Sequence, residues 1–467
     1  MLQDTGKPFA NYVDVEAGTV DRVIFSDQAI YEMELERIFA RCWNFMCHES
    51  QIPNKGDFFL SYIGEESVIA TRDKTGALQV FLNTCRHRGN AVCRAESGNA
   101  RSFLCTYHGW TFGLDGKLIG VPGYKDLYHE DLDREQWGLI SAGKVASYKG
   151  FVFATMDPDA VDLEEYLGEV GRLGLDLCAE RGDIVAVDGV QKNIITCNWK
   201  LAVDNLFDWY HVQISHASAL MSGYMLGRGR PVAAAPGAPG AAPAAPAGPP
   251  PGGGMNAHRV LLGDYGHAIS GPRITPEMRA TMANAPEGAA PPPELDERWR
   301  DTPSAKEALG ESGRDTRGHP NIFPNLWVAS GGTQLSLRLP KGPGATEIWW
   351  FTLLDKNLST EDRFMRMSRA NHTFGPAGML EQDDGENWDQ STRQTKGVVS
   401  RRYPLNFSMN LGHGTPTTPE SGGPRFIDVA VNEHAQLWTY RAWAEWMDAD
   451  NWASLKQHRT PTPTDAV

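Results

Sequence analysis

Cys85, His87, Cys105 and His108 set out the pattern C-x-H-x17-C-x-x-H. Two thiolates and two imidazoles can hold a structural tetrahedral zinc, or a [2Fe–2S] cluster in which two His replace two Cys on one iron. The spacing favours the cluster. A zinc finger pairs its cysteines and then its histidines, whereas here each short loop brings one Cys and one His, so each loop can place its Cys on one iron and its His on the other. Gly89 and Gly109, just after each His, let the backbone approach the sulfurs. Cys93, between the loops, reads as a buried free thiol, and Cys42 and Cys47 read as core residues.

A second group of metal-ligating side chains lies in the segment DNLFDWYHVQISH, residues 204–216. Asp204, Asp208 and His211 recur at i, i+4 and i+7, which places them on one face of a helix. His216 falls about 140° around from His211 on a straight helix, so both rings can meet one metal only where the helix widens or ends, and a π-like bulge is the expected device. Two imidazoles and one carboxylate make the facial triad of non-haem Fe(II) oxygenases, which leaves positions open for O2. The carboxylate must come from elsewhere. Residues 381–387 (EQDDGEN) are the densest acidic stretch, and the residues alone do not choose among its four carboxylates.

Two kinds of unit must position these groups. Residues 26–43 carry apolar side chains at helical intervals behind a Ser/Asp start. From about residue 56 to 158 short apolar runs (FFLSYI, ESVIATR, LQVFLN, KGFVFATM) alternate with turn residues, the mark of an all-β unit. Helical patterns return at 162–177, and 190–202 reads as a strand followed by one long helix over 202–220. Residues 231–254 are almost wholly Ala, Pro and Gly, an insertion that cannot supply a core. A Pro cluster at 286–293 extends this irregular region, and 346–354 and 426–431 read as later strands.

The chain has 467 residues, enough for two or three domains with well-buried cores. Its 44 basic and 58 acidic residues give a net charge of −14, with no basic block to neutralise phosphates, so nucleic-acid binding is not expected. No apolar run reaches membrane-spanning length, and no secretory signal opens the sequence. With seven scattered cysteines this predicts a cytoplasmic protein without a disulfide framework.

The segments FLNTCRHRGNAVC and FLCTYHGWTFGLDGKL resemble the Rieske motif in its usual context. NWKLAVDNLFDWYHVQISH and TFGPAGMLEQDDGENW resemble the two catalytic-domain signatures of Rieske aromatic-ring-hydroxylating oxygenase large (alpha) subunits, of the naphthalene, biphenyl and toluene dioxygenase group. The likeness runs from residue 31 to the 381–388 segment. It implies an α+β fold, with an all-β Rieske [2Fe-2S] domain inserted before a catalytic domain whose antiparallel sheet is flanked by helices, of helix-grip type. The implied divisions are an N-terminal helix region at 1–41 packing on the catalytic domain, a Rieske domain at 42–162 and a mononuclear iron domain at 163–467.

The resemblance also chooses Asp384 as the third ligand beside His211 and His216. It makes Asp208 the carboxylate between His211 and His108 of an adjacent chain, and Asn205, Leu206, Phe207, Trp209, Phe374 and Leu380 the substrate wall. Trp209 beside Asp208 and the insertion at 231–254 depart from the family's pattern and bear on the substrate; the insertion is expected to act as a lid or mouth extension. The implied function is the terminal oxygenase component of a multicomponent dioxygenase, using O2 and NAD(P)H-derived electrons passed through a separate reductase and ferredoxin to form a cis-dihydrodiol from an aromatic compound. The alternative is monooxygenation or oxidative demethylation on the same metals. A small beta subunit in an α3β3 assembly, or at least an α3 trimer, is implied as well.

Overall fold

The computed structural model describes residues 8–222, 256–283, 297–329 and 334–457. The insertion at 231–254 and the Pro cluster at 286–293 lie outside the described residues. The runs of alternating hydrophobicity form strands where expected. β1 (Asn44–His48), β2 (Asp57–Ile63), β3 (Glu66–Arg72), β4 (Leu78–Leu82) and β5 (Phe151–Thr155) frame the N-terminal unit. β4, β3 and β2 pair antiparallel in that order, with Ser97–Asn99 beyond β2, while β1 pairs with β5. A small sheet of Phe103–Leu104, Thr111–Phe112 and Leu118–Gly120 carries the second Cys/His loop. Phe58, Ile69, Phe81, Phe103, Phe112 and Trp110 close a core of their own around Cys85 and Cys105.

The remainder is built on a ten-stranded antiparallel sheet. Its central strands are β6 (Gln191–Ile195), β7 (His258–Leu262), β8 (Ala268–Pro272), β9 (His319–Ile322), β10 (Leu326–Val328), β11 (Gln334–Pro340), β12 (Thr346–Asp355) and β13 (Phe426–Val429). They run β12-β11-β10-β9-β8-β7-β13, with β6 on β12. β11 and the apolar face of β12 are buried and pack into the largest core. The sheet and its helices match the α+β expectation.

The N-terminal segment is tied to this second unit. Helix α1 (Gln28–Glu34) starts where the Asp27 carboxylate accepts from the Ala29 and Ile30 amides, and it passes into a single π turn at Leu35–Phe39 rather than running on to residue 43. Glu34 is fully buried at that junction. It pairs with Lys200 at 2.5 Å and accepts from the indole N–H groups of Trp199 and Trp443, both at 2.8 Å. A buried charge is tolerated only when so completely partnered. The contact fixes the helix that leads into the second ligand group.

Candidate metal centres and substrate cavity

The two N-terminal loops share one hydrogen-bond pattern. In the first, the Cys85 amide donates to Asn90 O at 2.8 Å and Gly89 N–H returns to Cys85 O at 2.8 Å. In the second, Cys105 N–H donates to Trp110 O at 2.8 Å and Gly109 N–H returns to Cys105 O at 2.9 Å. Each turn closes on a glycine with positive φ, +73° at Gly89 and +77° at Gly109, a conformation glycine adopts without steric cost. The loops bring the His87 and His108 rings to 4.4 Å between centroids. His87 Nδ1 is buried with no hydrogen-bond partner among the described residues, a free lone pair of the kind a metal ligand needs. Burial opposes ionisation of the Cys105 thiol, yet the Tyr107 amide, the Asn90 side chain and the Cys85 thiol hold it below the ordinary range. Trp110 stacks on His87 at 5.1 Å and shields the pair. This set fits a cluster held by two thiolates and two imidazoles. Cys93, Cys42 and Cys47 are buried, and no disulfide joins them.

The second group departs from the single long helix read over 202–220. Helix α2 (Trp199–Asp204) gives way to a 3-10 turn, Asn205–Phe207, and the chain is extended at Asp208 (φ −84°, ψ 92°) before two short helices, α3 (Val212–Ser215) and α4 (Ala217–Met221). No π bulge joins His211 to His216. The break has a local cause: Asp208 Oδ1 accepts from the Tyr210 amide at 2.8 Å and the His211 amide at 3.2 Å, a turn that competes with helix. Its other oxygen lies 3.3 Å from His211 Nδ1. Asp204 does not share a face with Asp208 and His211; it is buried beside Tyr440, whose hydroxyl donates to it, and burial raises its pKa well above the carboxylate range.

Helices α5 (Pro303–Arg314) and α6 (Thr360–Thr373) precede α7 (Met379–Thr395), and the break turns both rings toward α7, which presents Asp384. His211 Nε2 is 3.2 Å from His216 Nε2 and 3.2 Å from Asp384 Oδ1, and His216 Nε2 is 3.3 Å from the same oxygen. For donor atoms about 2.1 Å from a common ion, the edge is about 3.0 Å on an octahedral face and about 3.4 Å in a tetrahedron. The triangle falls between these, so the three residues fit one first-row metal ion. Burial opposes protonation of His211, but Asp208 and Asp384 outweigh it and raise its pKa to about 10. The site therefore favours an added positive charge.

The acidic stretch sorts by position on the helix. Asp384 completes the triangle, while Asp383 Oδ2 lies 3.3 Å from His216 Nδ1. Each imidazole thus has a carboxylate at its outer nitrogen, which fixes the ring's tautomer and orientation. Glu381 is buried, and burial raises its pKa to about 7 despite the field of Arg338. Glu386 faces Gln390 at the surface. Helix α7 is held in place by Thr196 donating to Asp389 at 2.6 Å and by the Asn198 amide donating to Thr392 Oγ1 at 2.9 Å.

A cavity of about 300 Å3 opens over the triad. Asn205, Leu206, Trp209, Phe374 and Leu380 line it, as do Asp208, His211, His216 and Asp384. Phe207 does not: it is 1 % exposed and packs in the core, because the 3-10 turn points it away from the opening. Several other lining groups carry no signal in the sequence. His319, held between Trp209 and Trp327 with its pKa lowered by burial to about 3, and Gln334, Arg369 and the loop residue Arg317 come from more than 100 residues after the His pair.

Comparison with known proteins agrees with this architecture. The family described as Rieske [2Fe-2S] domain matches residues 42–146, and that described as ring hydroxylating alpha subunit (catalytic domain) matches residues 167–448. The chain is 36 % identical over 462 residues to the biphenyl 2,3-dioxygenase subunit alpha of Rhodococcus jostii (strain RHA1), covering 96 % of this chain and 93 % of the relative. It is 33 % identical to a benzene 1,2-dioxygenase subunit alpha of Pseudomonas putida over 96 % of this chain and 95 % of the relative. A naphthalene 1,2-dioxygenase structure with indole bound in its active site superposes with a TM-score of 0.80 at 28 % identity, over 97 % of each chain. The chain therefore belongs to the alpha subunits of the aromatic-ring-hydroxylating dioxygenases, Rieske non-haem iron oxygenases whose two domains bind a [2Fe–2S] cluster and a mononuclear iron.

Proposed function

We propose that this chain is the terminal oxygenase that adds both atoms of O2 to an aromatic ring, giving a cis-dihydrodiol. The convergence of His211, His216 and Asp384 at the floor of a largely apolar cavity carries the reading. Cys85, His87, Cys105 and His108 hold the cluster, and the His211, His216 and Asp384 side chains hold the iron. When bound, the two centres supply O2 activation and one-electron transfer, the chemistry of a facial triad fed by a His-ligated cluster.

The protein's own part is positioning. Asp208 and Asp383 keep the outer nitrogens of His211 and His216 protonated, so that the inner nitrogens present lone pairs. Leu206, Trp209, Phe374 and Leu380 receive the ring and exclude water. The Asp208 side chain is 35 % exposed, which leaves it accessible to His108 of a neighbouring copy in a trimer. Leu104 and Tyr107 beside the cluster loop, and Tyr210 beside Asp208, are exposed apolar groups suited to that contact. Electrons reach the cluster from NAD(P)H through a reductase and a ferredoxin, and a small beta subunit completes the α3β3 assembly. No disulfide joins any of the seven buried cysteines, which suits the reducing cytoplasm where NAD(P)H is found.

Turnover under ¹⁸O2 tests the reaction. Two labelled oxygens per product molecule are expected; one labelled oxygen in the aromatic product would replace dioxygenation by monooxygenation, and an unlabelled aromatic product with the label in released formaldehyde would replace it by oxidative demethylation.

A further inference from the structure

Three separate restraints hold the Trp209 side chain against the cavity it lines. Its backbone lies inside the turn that Asp208 closes on the Tyr210 and His211 amides. Its indole Nε1–H donates to Ser270 O on β8 at 3.0 Å. The ring also rests on backbone that carries no side chain: a Cβ at Gly271 would stand 2.4 Å from Trp209 Nε1, 2.6 Å from its Cε2 and 2.7 Å from Gly318 Cα. Glycine at this point of the strand is what allows the indole and a neighbouring segment to approach so closely. The pairing of β8 with β9 sets Ser270 opposite His319, whose ring meets the indole at 4.7 Å. The His258 ring on β7, 1 % exposed and no part of the lining, meets it edge-on at 6.1 Å.

These restraints make the indole a wall and not a flap. Rotation about either side-chain torsion would break the bond to Ser270 O and drive the ring out of its glycine slot. Trp209 also stands two residues before His211, so the wall and the triad ride on one turn and their separation is set by the backbone. A cavity of about 300 Å3 is at the small end for ligand sites, and this one is closed on the β8–β9 side by a fused two-ring system of the protein's own.

We infer that Trp209 is a specificity-determining residue that limits this chain to single-ring arenes, its indole standing where a substrate's second ring would lie. The inference rests on the proposed function, since it assumes an arene bound over the metal ligands. In an apolar site without such a wall naphthalene outbinds toluene, because it buries more apolar surface. Removing the indole leaves a space beside the triad of the kind that apolar ligands fill.

Anaerobic calorimetric titration of the cluster- and iron-loaded oxygenase with toluene and with naphthalene tests the wall. The wild-type protein is expected to bind toluene at least as tightly as naphthalene. Trp209→Ala is expected to shift the affinity ratio about tenfold or more toward naphthalene. Trp209→Phe keeps a ring but loses the donor to Ser270 O, and should shift the ratio less, in the same direction. Trp209→Met retains more volume than Trp209→Ala and supplies the same comparison should the alanine variant fold poorly. An unchanged ratio in these variants, or a wild-type protein that binds naphthalene more tightly than toluene, overturns the inference and leaves the proposed function intact. Iron and sulfide measured on the same samples separate the two: a fully loaded wild-type protein that binds neither arene removes both.

Discussion

Asp208→Asn separates the role of the carboxylate from that of the metals. In the native protein one Asp208 oxygen holds the Tyr210 and His211 amides, at 2.8 and 3.2 Å, and the other faces His211 Nδ1 at 3.3 Å. An asparagine keeps an acceptor for the backbone, so the extended break before α3 survives. Its NH2 group then faces a ring nitrogen that is itself a donor, and both the charge and the hydrogen bond are lost. A hydrogen bond to a charged group contributes about 1.5–3 kcal/mol, or about 10- to 150-fold in a step that depends on it. Asp208 is proposed to serve two such contacts, to His211 and to His108 of a neighbouring copy, so turnover should fall about 10²- to 10⁴-fold. Iron affinity should fall about 10- to 100-fold, and assays therefore need saturating Fe(II). The decisive assay mixes pre-reduced, substrate-bound protein rapidly with O2 and follows the visible absorbance of the cluster. Slow cluster oxidation with full iron content supports the account. Native rates in Asp208→Asn with both centres filled would refute it.

Other consequences concern the scaffold. Glu34→Ala leaves Lys200 charged and buried without its partner, so the protein should lose about 3–5 kcal/mol, read as a lowered denaturant midpoint; a loss below about 1 kcal/mol would mean the pair relaxes into water. Gly109→Ala puts a Cβ 2.8 Å from Pro122 Cγ at φ +77°, and should yield protein with depleted sulfide but a normal far-ultraviolet spectrum. Burial lowers the pKa of His267 to about 4, while its ring bridges Tyr166 O and the Phe323 amide. The unfolded chain therefore binds the extra proton first, and His267 should withdraw about 2 kcal/mol of stability between pH 6.5 and 5, and about 3 by pH 4. Urea titrations of His267→Gln, which keeps a donor and an acceptor, should show a smaller fall over that range; an identical fall would place the acid sensitivity elsewhere.

Where ligands sit within a few residues of each other, the sequence was nearly sufficient. The Cys85 and Cys105 loops are local turns closed by their own amides, and the β runs around them needed only alternation. The His211–His216 pair was legible as a metal site, but the path of the chain through it was not. Residues 202–220 have helical periodicity, and the break at Asp208 arises because its carboxylate captures two amides that a helix would use, a competition that periodicity does not express. Four carboxylates in residues 381–387 were equivalent until α7 was docked, when Asp384 and Asp383 turned toward the two imidazoles and Glu381 toward Arg338. The cavity's far end was invisible for a similar reason: Gln334, His319 and Arg369 meet only through the register of β9–β12 and the packing of α6 on that sheet.

The central claim is that this chain holds two different iron centres in the residues named. Iron and acid-labile sulfide analysis, with electron paramagnetic resonance of the dithionite-reduced protein, measures it most directly when the wild type and Asp384→Ala are compared. The account predicts about three irons and two sulfides per wild-type chain and about two of each in Asp384→Ala, with one unchanged signal of a His-ligated cluster in both. Equal iron in the two proteins, or a wild-type protein carrying zinc without sulfide, would contradict it.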